Sequence, residues 1–302
     1  MTAPDDVLVG VDGGATSTRV LVATRDGGLL TRLEGPGSLV RSARPEARVG
    51  QLADHVRAAL HEAGCQPPAR ALCCALAGAG RPETRERVEN ALRRERLAAQ
   101  VRVIPDVEAA FQDAFLGGDG ILLLAGTGSI AVARNAGRVA RAGGWGAVFG
   151  DEGSAFAMGR AALAAVACAH DGRGPATSLT EEVLRHTRSA TPDALIAWAD
   201  RAEKADIAAL APLVLRAADD AVASAIVDTA ADQLLAHVRA LLSRLGPWDG
   251  PPALAFAGGA LAPESYLRQK LLQRLDSRSV ALTPLDRPVD AAHGALRLAA
   301  DL

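Results

Sequence analysis

The chain has 302 residues and a formal net charge of -2, long enough for two domains of ordinary size, and it carries no basic stripe, which argues against nucleic acid as a partner. Hydrophobic residues make up 49% and aromatics only 3%, so Ala, Val and Leu must fill the cores. No apolar run reaches the roughly 20 residues that a membrane-spanning helix needs, so no membrane partner is expected.

The acidic start, Met1 to Asp6, runs straight into a strand and does not read as a secretory signal. Val7 to Val11 is an apolar run that ends at Asp12, Gly13 and Gly14, and a second run, Arg19 to Ala23, follows at once. A third, Leu29 to Leu33, comes after the turn Arg25-Asp26-Gly27-Gly28, which makes an antiparallel meander. The pattern predicts a helix from Pro45 to Ala63, a buried strand from Ala71 to Ala77 and a charged helix from Pro82. A strand from Val101 to Ile104 then runs into Asp106, and a helix carries Val107 to Phe115.

The same order then begins again. Ile121 to Ala125 is a buried strand ending at Gly126-Thr127-Gly128; Ser129 to Ala133 and Val139 to Ala142 are the next two. A glycine-rich loop leads to a helix over Ser154 to His170, followed by a long Ala- and Leu-rich helical stretch, 178–245, with no counterpart in the first half. Ala253 to Ala257 reads as a strand ending at Gly258-Gly259. A helix from Pro263 to Leu275, a strand at Val280 to Leu282 and a last helix from Val289 complete the copy. The expected organisation is a first domain over 1–116, a second over 117–288 with the insertion 178–245, and a terminal helix, 289–302, packing back on the first. Two such halves facing each other would form a cleft with a phosphate-binding turn on each wall.

The turn Asp12-Gly13-Gly14-Ala15-Thr16-Ser17-Thr18 offers glycines that let the backbone approach an anion, successive N–H groups that form an anion-binding concavity, and hydroxyl donors. Asp12, at the strand end, is placed to hold Mg²⁺ through water; a plain hairpin explains the same residues. Gly126-Thr127-Gly128-Ser129 repeats this chemistry at the equivalent place of the second copy. No GxxxxGK[ST] run and no GxGxxG before a helix is present, which excludes a Walker-type site and counts against a dinucleotide oxidoreductase. Gly258 and Gly259 would leave room for a flat adenine ring, or merely join strand to helix.

Asp106 stands at a strand end before a helix, where it either caps the helix or accepts the proton of a hydroxyl acceptor, two roles that coexist. Gly143-Gly144-Trp145-Gly146 and Gly150-Asp151-Glu152-Gly153-Ser154 form the densest glycine region. Trp145 sits among glycines as a stacking face for a sugar, and Asp151 can accept from sugar hydroxyls or serve the following helix as a first-turn acid. Cys65, Cys73, Cys74 and Cys168 show no CxxC spacing, so no zinc site is expected and a reduced, cytoplasmic setting fits.

The segments GVDGGATSTRVLV, ALAGAGRPE, IPDVEAAF, LAGTGSIA and GGWGAVFGDEGSAFAMGRAAL closely resemble the BadF/BadG/BcrA/BcrD ATPase family, and within it the N-acetylglucosamine kinase branch. The resemblance runs over nearly the whole chain and is most specific from Gly126 to Arg160. It implies an α/β, duplicated ribonuclease H-like fold of the sugar kinase, actin and Hsp70 type with an interdomain cleft. It implies ATP and Mg²⁺ as cofactors and phosphorylation of an amino sugar, N-acetylglucosamine to its 6-phosphate. By the same resemblance Asp106 matches the catalytic base, and Gly144, Trp145, Gly146 and Asp151 match sugar-binding positions. Gly14, Thr16 and Thr127 match phosphate contacts, and Gly258 an adenosine-side position. Where the family's sugar kinases carry Asn after the third strand, this chain has Gly35-Pro36-Gly37-Ser38-Leu39, so Ser38 is expected near the group that distinguishes one sugar from another. Glucosamine is the alternative substrate. An ATPase activator of a radical dehydratase and a non-catalytic sugar sensor are the competing classes, and a homodimer is entertained as the assembly.

Overall fold

The computed structural model describes residues 6–40, 43–277 and 281–302, and these form two compact units, one of residues up to 118 together with 289–302, the other of residues 119–288.

The first unit is built on a five-stranded sheet, β1 (Val7–Gly13), β2 (Ser17–Thr24), β3 (Leu29–Pro36), β4 (Ala69–Leu76) and β5 (Ala98–Pro105), in the order β3-β2-β1-β4-β5. The hairpin strands pair antiparallel and β4 and β5 add in parallel. On one face, Val9, Val11, Val20 and Val22 pack with the apolar stripes of α1 (Val49–Glu62) and α2 (Pro82–Arg94). Pro45 turns the first residues of the expected helix into a 3-10 turn, Pro45–Arg48. The other face is made of Leu8, Ala71, Cys73, Ala75 and Ile104. It receives Ala109 of α3 (Asp106–Phe115) and Ala295 and Ala299 of the last helix, α11 (Ala291–Ala300). Contact here is backbone against backbone. A Cβ on Gly10 would lie 2.5 Å from Leu296 N, and one on Gly294 would collide with Ala109 O. The scarcity of aromatic residues and the abundance of alanine are what let β1, α3 and α11 approach so closely.

The second unit repeats the sheet: β6 (Gly120–Ala125), β7 (Ser129–Asn135), β8 (Arg138–Gly143), β9 (Ala253–Ala257) and β10 (Thr283–Pro284), in the order β10-β9-β6-β7-β8. The helix α4 (Ala155–His170) is capped by Ser154, whose Oγ accepts from Ala157 N. The helical stretch is five helices: α5 (Leu179–Thr187), α6 (Ala194–Ala199), α7 (Lys204–Ala208), α8 (Ala211–Arg216) and α9 (Ala221–Leu245). The breaks have local causes: Pro192, the capping box of Glu203 with Asp206, Pro212 in a first turn, and Asp220, whose carboxylate accepts from Val222 N and Ala223 N. The helix before β10 is α10 (Tyr266–Ser277). Of the strand expected at Val280 to Leu282, Val280 lies outside the described residues; the strand that pairs in parallel with β9 is Thr283–Pro284.

Candidate active site

In the first unit the site grows out of the β1–β2 turn. Gly14 N donates to Ser17 O (2.9 Å), and Ser38 N donates to Gly14 O (3.0 Å), so the loop after β3 lies on the turn. A Cβ on Gly37 would collide with Ala15 O, which requires glycine there. Thr16 and Ser17 are exposed and Gly14 is half-buried. Ser38, expected near the sugar, lies within the loop. It is 2% exposed, and its hydroxyl lies 2.7 Å from Thr18 Oγ1. Thr18 spends its own proton on Pro36 O (2.7 Å), so Ser38 is the donor to Thr18. The Ser38 hydroxyl holds the loop to the strand and does not face outward.

Asp12 ends β1, and its cross-strand partner in the hairpin is Arg19, which in turn faces Glu34 on β3. Arg19 Nη1 stands 4.0 Å from Asp12 Oδ2, its Nε donates to Glu34 Oε1 (3.2 Å), and its Nη1 reaches Asp290 Oδ1 (3.4 Å). Asp290 also takes Arg32 Nη1 (3.1 Å) and accepts from Ala292 N at the start of α11. Asp106 opens α3, and its Oδ1 accepts from Val107 N (2.9 Å), so it serves its own helix while keeping a carboxylate at the strand end. Burial first, and then the negative charge of Asp106, push the Asp12 carboxyl up to about 6; Arg19 pulls it down and Asp290 adds a smaller upward push. Burial likewise raises Asp106, against the pull of its backbone hydrogen bonds. Partly desolvated acids that repel one another are the signature of a site that meets a cation or a proton. An all-oxygen donor such as Asp12 fits Mg²⁺, which takes one or two carboxylates and fills its shell with phosphate and water. Among the described residues no cluster of three His, Cys, Asp or Glu side chains could hold a metal by itself.

In the second unit Gly126-Thr127-Gly128 closes β6 onto β7, with Gly126 N donating to Gly128 O (2.9 Å) and Ala155 N donating to Gly126 O (2.9 Å), so the turn sits on the start of α4. Gly258 has φ +85°, and a Cβ there would collide with Ala125 O; glycine is obligatory, and it brings Gly258 onto the Gly126 turn. Gly259 has open space around its Cβ position. Asp151 is 3% exposed and sits in the left-handed region at φ 58°. Its Oδ1 accepts from Ser129 N (3.3 Å), and its Oδ2 lies 2.5 Å from Lys204 Nζ. A Cβ on Gly128 would lie 2.5 Å from Asp151 Oδ1. Asp151 thus works from beneath the glycine turn, paired with Lys204 of α7. Trp145 is 57% exposed, with Arg141 stacked 4.5 Å over its ring and Phe149 at 6.1 Å. Gly144 N donates to Ser129 O (3.0 Å), which ties this loop to the second glycine turn; Gly146 follows Trp145 with φ +85°.

Within the first unit the structure therefore gathers Asp12, Gly13, Gly14 and Ser38 with Asp106 close to Asp12. Within the second it gathers Gly126, Thr127, Gly128, Gly258 and Asp151, with Gly144 tied to Ser129. Sequence reasoning missed Arg19, Asp290 and Lys204. Arg19 was within reach, because the hairpin register sets it opposite Asp12. Lys204 gave one signal, being one of 2 lysines in the chain. Asp290 gave none, since 278 residues separate it from Asp12.

Two copies of one strand topology, one with an acid pair at its first strand end and the other with a glycine turn at the same place, define a duplicated ribonuclease H-like protein of the sugar kinase type. The chain belongs to the BadF/BadG/BcrA/BcrD ATPase family, whose profile matches residues 9–299. It is 30% identical over 299 residues to an N-acetylmuramic acid/N-acetylglucosamine kinase of Clostridium acetobutylicum, covering 97% of each chain. It is 28% identical to a glucosamine kinase of Vibrio cholerae, covering 68% of this chain and 69% of that one. A solved structure from Chromobacterium violaceum, provisionally named an N-acetylglucosamine kinase, matches with a TM-score of 0.80 at 31% identity, covering 98% of this chain and 99% of that one.

Proposed function

We propose that this chain is an ATP-dependent amino-sugar kinase that transfers the γ-phosphoryl group of ATP to the 6-hydroxyl of N-acetylglucosamine. The observation that carries the reading is the acid pair at the end of β1 and the start of α3, with Asp12 raised to about 6 and Asp106 raised beside it, in a chain whose full-length relatives bear amino-sugar kinase names.

Asp106 orients the acceptor hydroxyl and takes its proton as the new oxygen–phosphorus bond forms and ADP leaves. Its raised pKa suits a group that must hold that proton. Asp12 is the residue that would hold Mg²⁺, which supplies neutralisation of phosphate charge when bound. The backbone of Gly13, Gly14, Gly126, Thr127 and Gly128, with the exposed Thr16 hydroxyl, cradles phosphate oxygens. Gly258 and Gly259 lie on the adenosine side, where Gly259 leaves room. Gly144, Trp145, Gly146 and Asp151 bind the sugar, Trp145 by its exposed face and Asp151 by a carboxylate paired with Lys204. The reading includes a cytoplasmic setting, where ATP is available and the four free thiols stay reduced.

The dehydratase-activator reading has little chemistry to stand on. Burial pushes the Cys73 thiol up to about 12 and raises the Cys74 thiol well above its ordinary value, whereas cluster ligation needs thiolates. The experiment is sugar-dependent ADP release over a panel of N-acetylglucosamine, glucosamine and N-acetylmuramic acid with the purified chain. N-acetylglucosamine is expected to give the largest kcat/KM. A larger value for glucosamine transfers the proposal to that sugar, and release of ADP independent of every sugar overturns it.

A further inference from the structure

Four buried side-chain atoms find no hydrogen-bond partner among the described residues: His55 Nδ1, Asp151 Oδ2, Glu152 Oε2 and His237 Nδ1. Buried polar atoms are paired in the great majority of cases, so each exception asks for a reason. Asp151 Oδ2 has Lys204 as an ionic neighbour and belongs to the site above. The remaining three belong to two histidines and one glutamate, and the histidines occupy matching places in the two units. His55 stands on α1, the helix between the third and fourth strands of its sheet. His237 stands on α9, the helix that leads into β9, which is the fourth strand of the second sheet.

Each ring lies against the glycine at or near the end of the third strand. A Cβ on Gly35 would stand 2.6 Å from His55 Cε1 and 2.8 Å from its Nε2; a Cβ on Gly143 would stand 2.8 Å from His237 Nε2. These are close approaches in which the ring fills the space a side chain would occupy. Gly35 opens the loop that ends at Ser38, and Gly143 opens the loop that carries Gly144, Trp145 and Gly146. The second histidine reaches further. His237 Nε2 lies 3.5 Å from Glu152 Oε2, Glu152 O accepts from Ser129 Oγ (2.6 Å), and Ser129 in turn accepts from Gly144 N and donates from its own N to Asp151 Oδ1. One imidazole is thereby tied, through a glutamate and a serine, to both ends of the glycine-rich segment.

We infer that His55 and His237 are a pseudo-symmetric pair of positioning residues, each propping the glycine loop of its own unit through ring-to-backbone contact, and that His237, whose loop carries Gly144, Trp145 and Gly146, sets the affinity for the acceptor sugar and leaves that for ATP alone. The inference rests on the assignment of the second unit's loop to the sugar. Neither histidine touches a reacting group; each acts through the loop it supports. A loop displaced by as little as ~1 Å can cost about 100-fold in rate or affinity, so the support is worth more to function than its few contacts are to stability.

The test uses the full chain. His237→Ala is expected to raise KM for N-acetylglucosamine by about tenfold or more while KM for ATP moves less than about twofold. His237→Gln, which keeps an amide near the Glu152 carboxylate, is expected to recover most of the loss. In the first unit, Gly35→Ala places a methyl against the His55 ring and is expected to lower the thermal unfolding temperature more than the double substitution Gly35→Ala with His55→Ala, where the methyl enters the space the ring has left. Calorimetric sugar binding and thermal unfolding are read alongside, so that a variant of lowered stability still reports. In His237→Ala, sugar and ATP constants moving together or loss of stability with both constants unchanged, and in the first unit strictly additive effects of Gly35→Ala and His55→Ala on stability, would each overturn the inference alone. Absence of sugar-dependent ADP release in the unmodified chain would overturn the assignment of function and the inference together.

Discussion

The two units share one strand order and use it for opposite electrostatics. At the end of its first strand the first unit sets Asp12 near Asp106 and Asp290, with Arg19 as a cation reaching Asp12, and the Asp12 carboxyl is driven up to about 6. At the same place the second unit has a glycine turn beside which the carboxylate of Asp151 is buried and matched by Lys204. The first unit keeps a desolvated acid that a neighbouring acid repels, and the second a buried acid already paired with a lysine beneath its glycine turn. One strand order thus supports two different charge environments at equivalent places.

The comparison breaks most sharply at the acids. Asp106→Asn is expected to lower kcat by about 10²- to 10⁴-fold, because the amide cannot accept the proton, while ATP affinity by calorimetry stays the same. Near-normal turnover would remove Asp106 from the chemistry.

The paired half should answer in stability. Lys204→Met leaves the Asp151 carboxylate buried without its cation, at a cost of about 1–3 kcal/mol in denaturant unfolding; the lower part of that range applies because the lysine is 37% exposed. The double variant Lys204→Met with Asp151→Asn should regain most of it. If the single variant unfolds like the unmodified chain, the pair is not what balances the second unit.

The first unit should behave in the opposite sense. The folded pKa of Asp12 is raised above its unfolded value, so its contribution to stability is whole below the unfolded pKa near 3.8 and is lost as pH rises through about 6. Asp12→Asn, measured without divalent cations, should therefore make no difference below pH 4 and stabilise the chain by about 1–2 kcal/mol at pH 7 and above, while removing Mg²⁺-dependent turnover. A destabilised variant at pH 7 would mean that the Asp12–Arg19 attraction outweighs the burial and repulsion.

The smallest effect is expected at Ser38. Ser38→Ala removes the donor to Thr18 and should cost about 1 kcal/mol, with the ratio of kcat/KM for N-acetylglucosamine over glucosamine changed less than about threefold. A large change in that ratio would return Ser38 to the sugar.

The sequence by itself determined the strand and helix order, the two glycine turns and the family, because apolar periodicity, turn glycines and caps act over a few residues and are written in the local chain. The β1–β2 turn even carried Arg19 opposite Asp12, since hairpin register follows from turn length. Only the tertiary structure brought Asp290 to Arg19, Lys204 to Asp151, and the rings of His55 and His237 to Gly35 and Gly143. It also turned Ser38 inward, onto Thr18. Such placements depend on how helices pack on sheets tens to hundreds of residues away, and burial and charge repulsion act through that assembled space, so no local pattern records them.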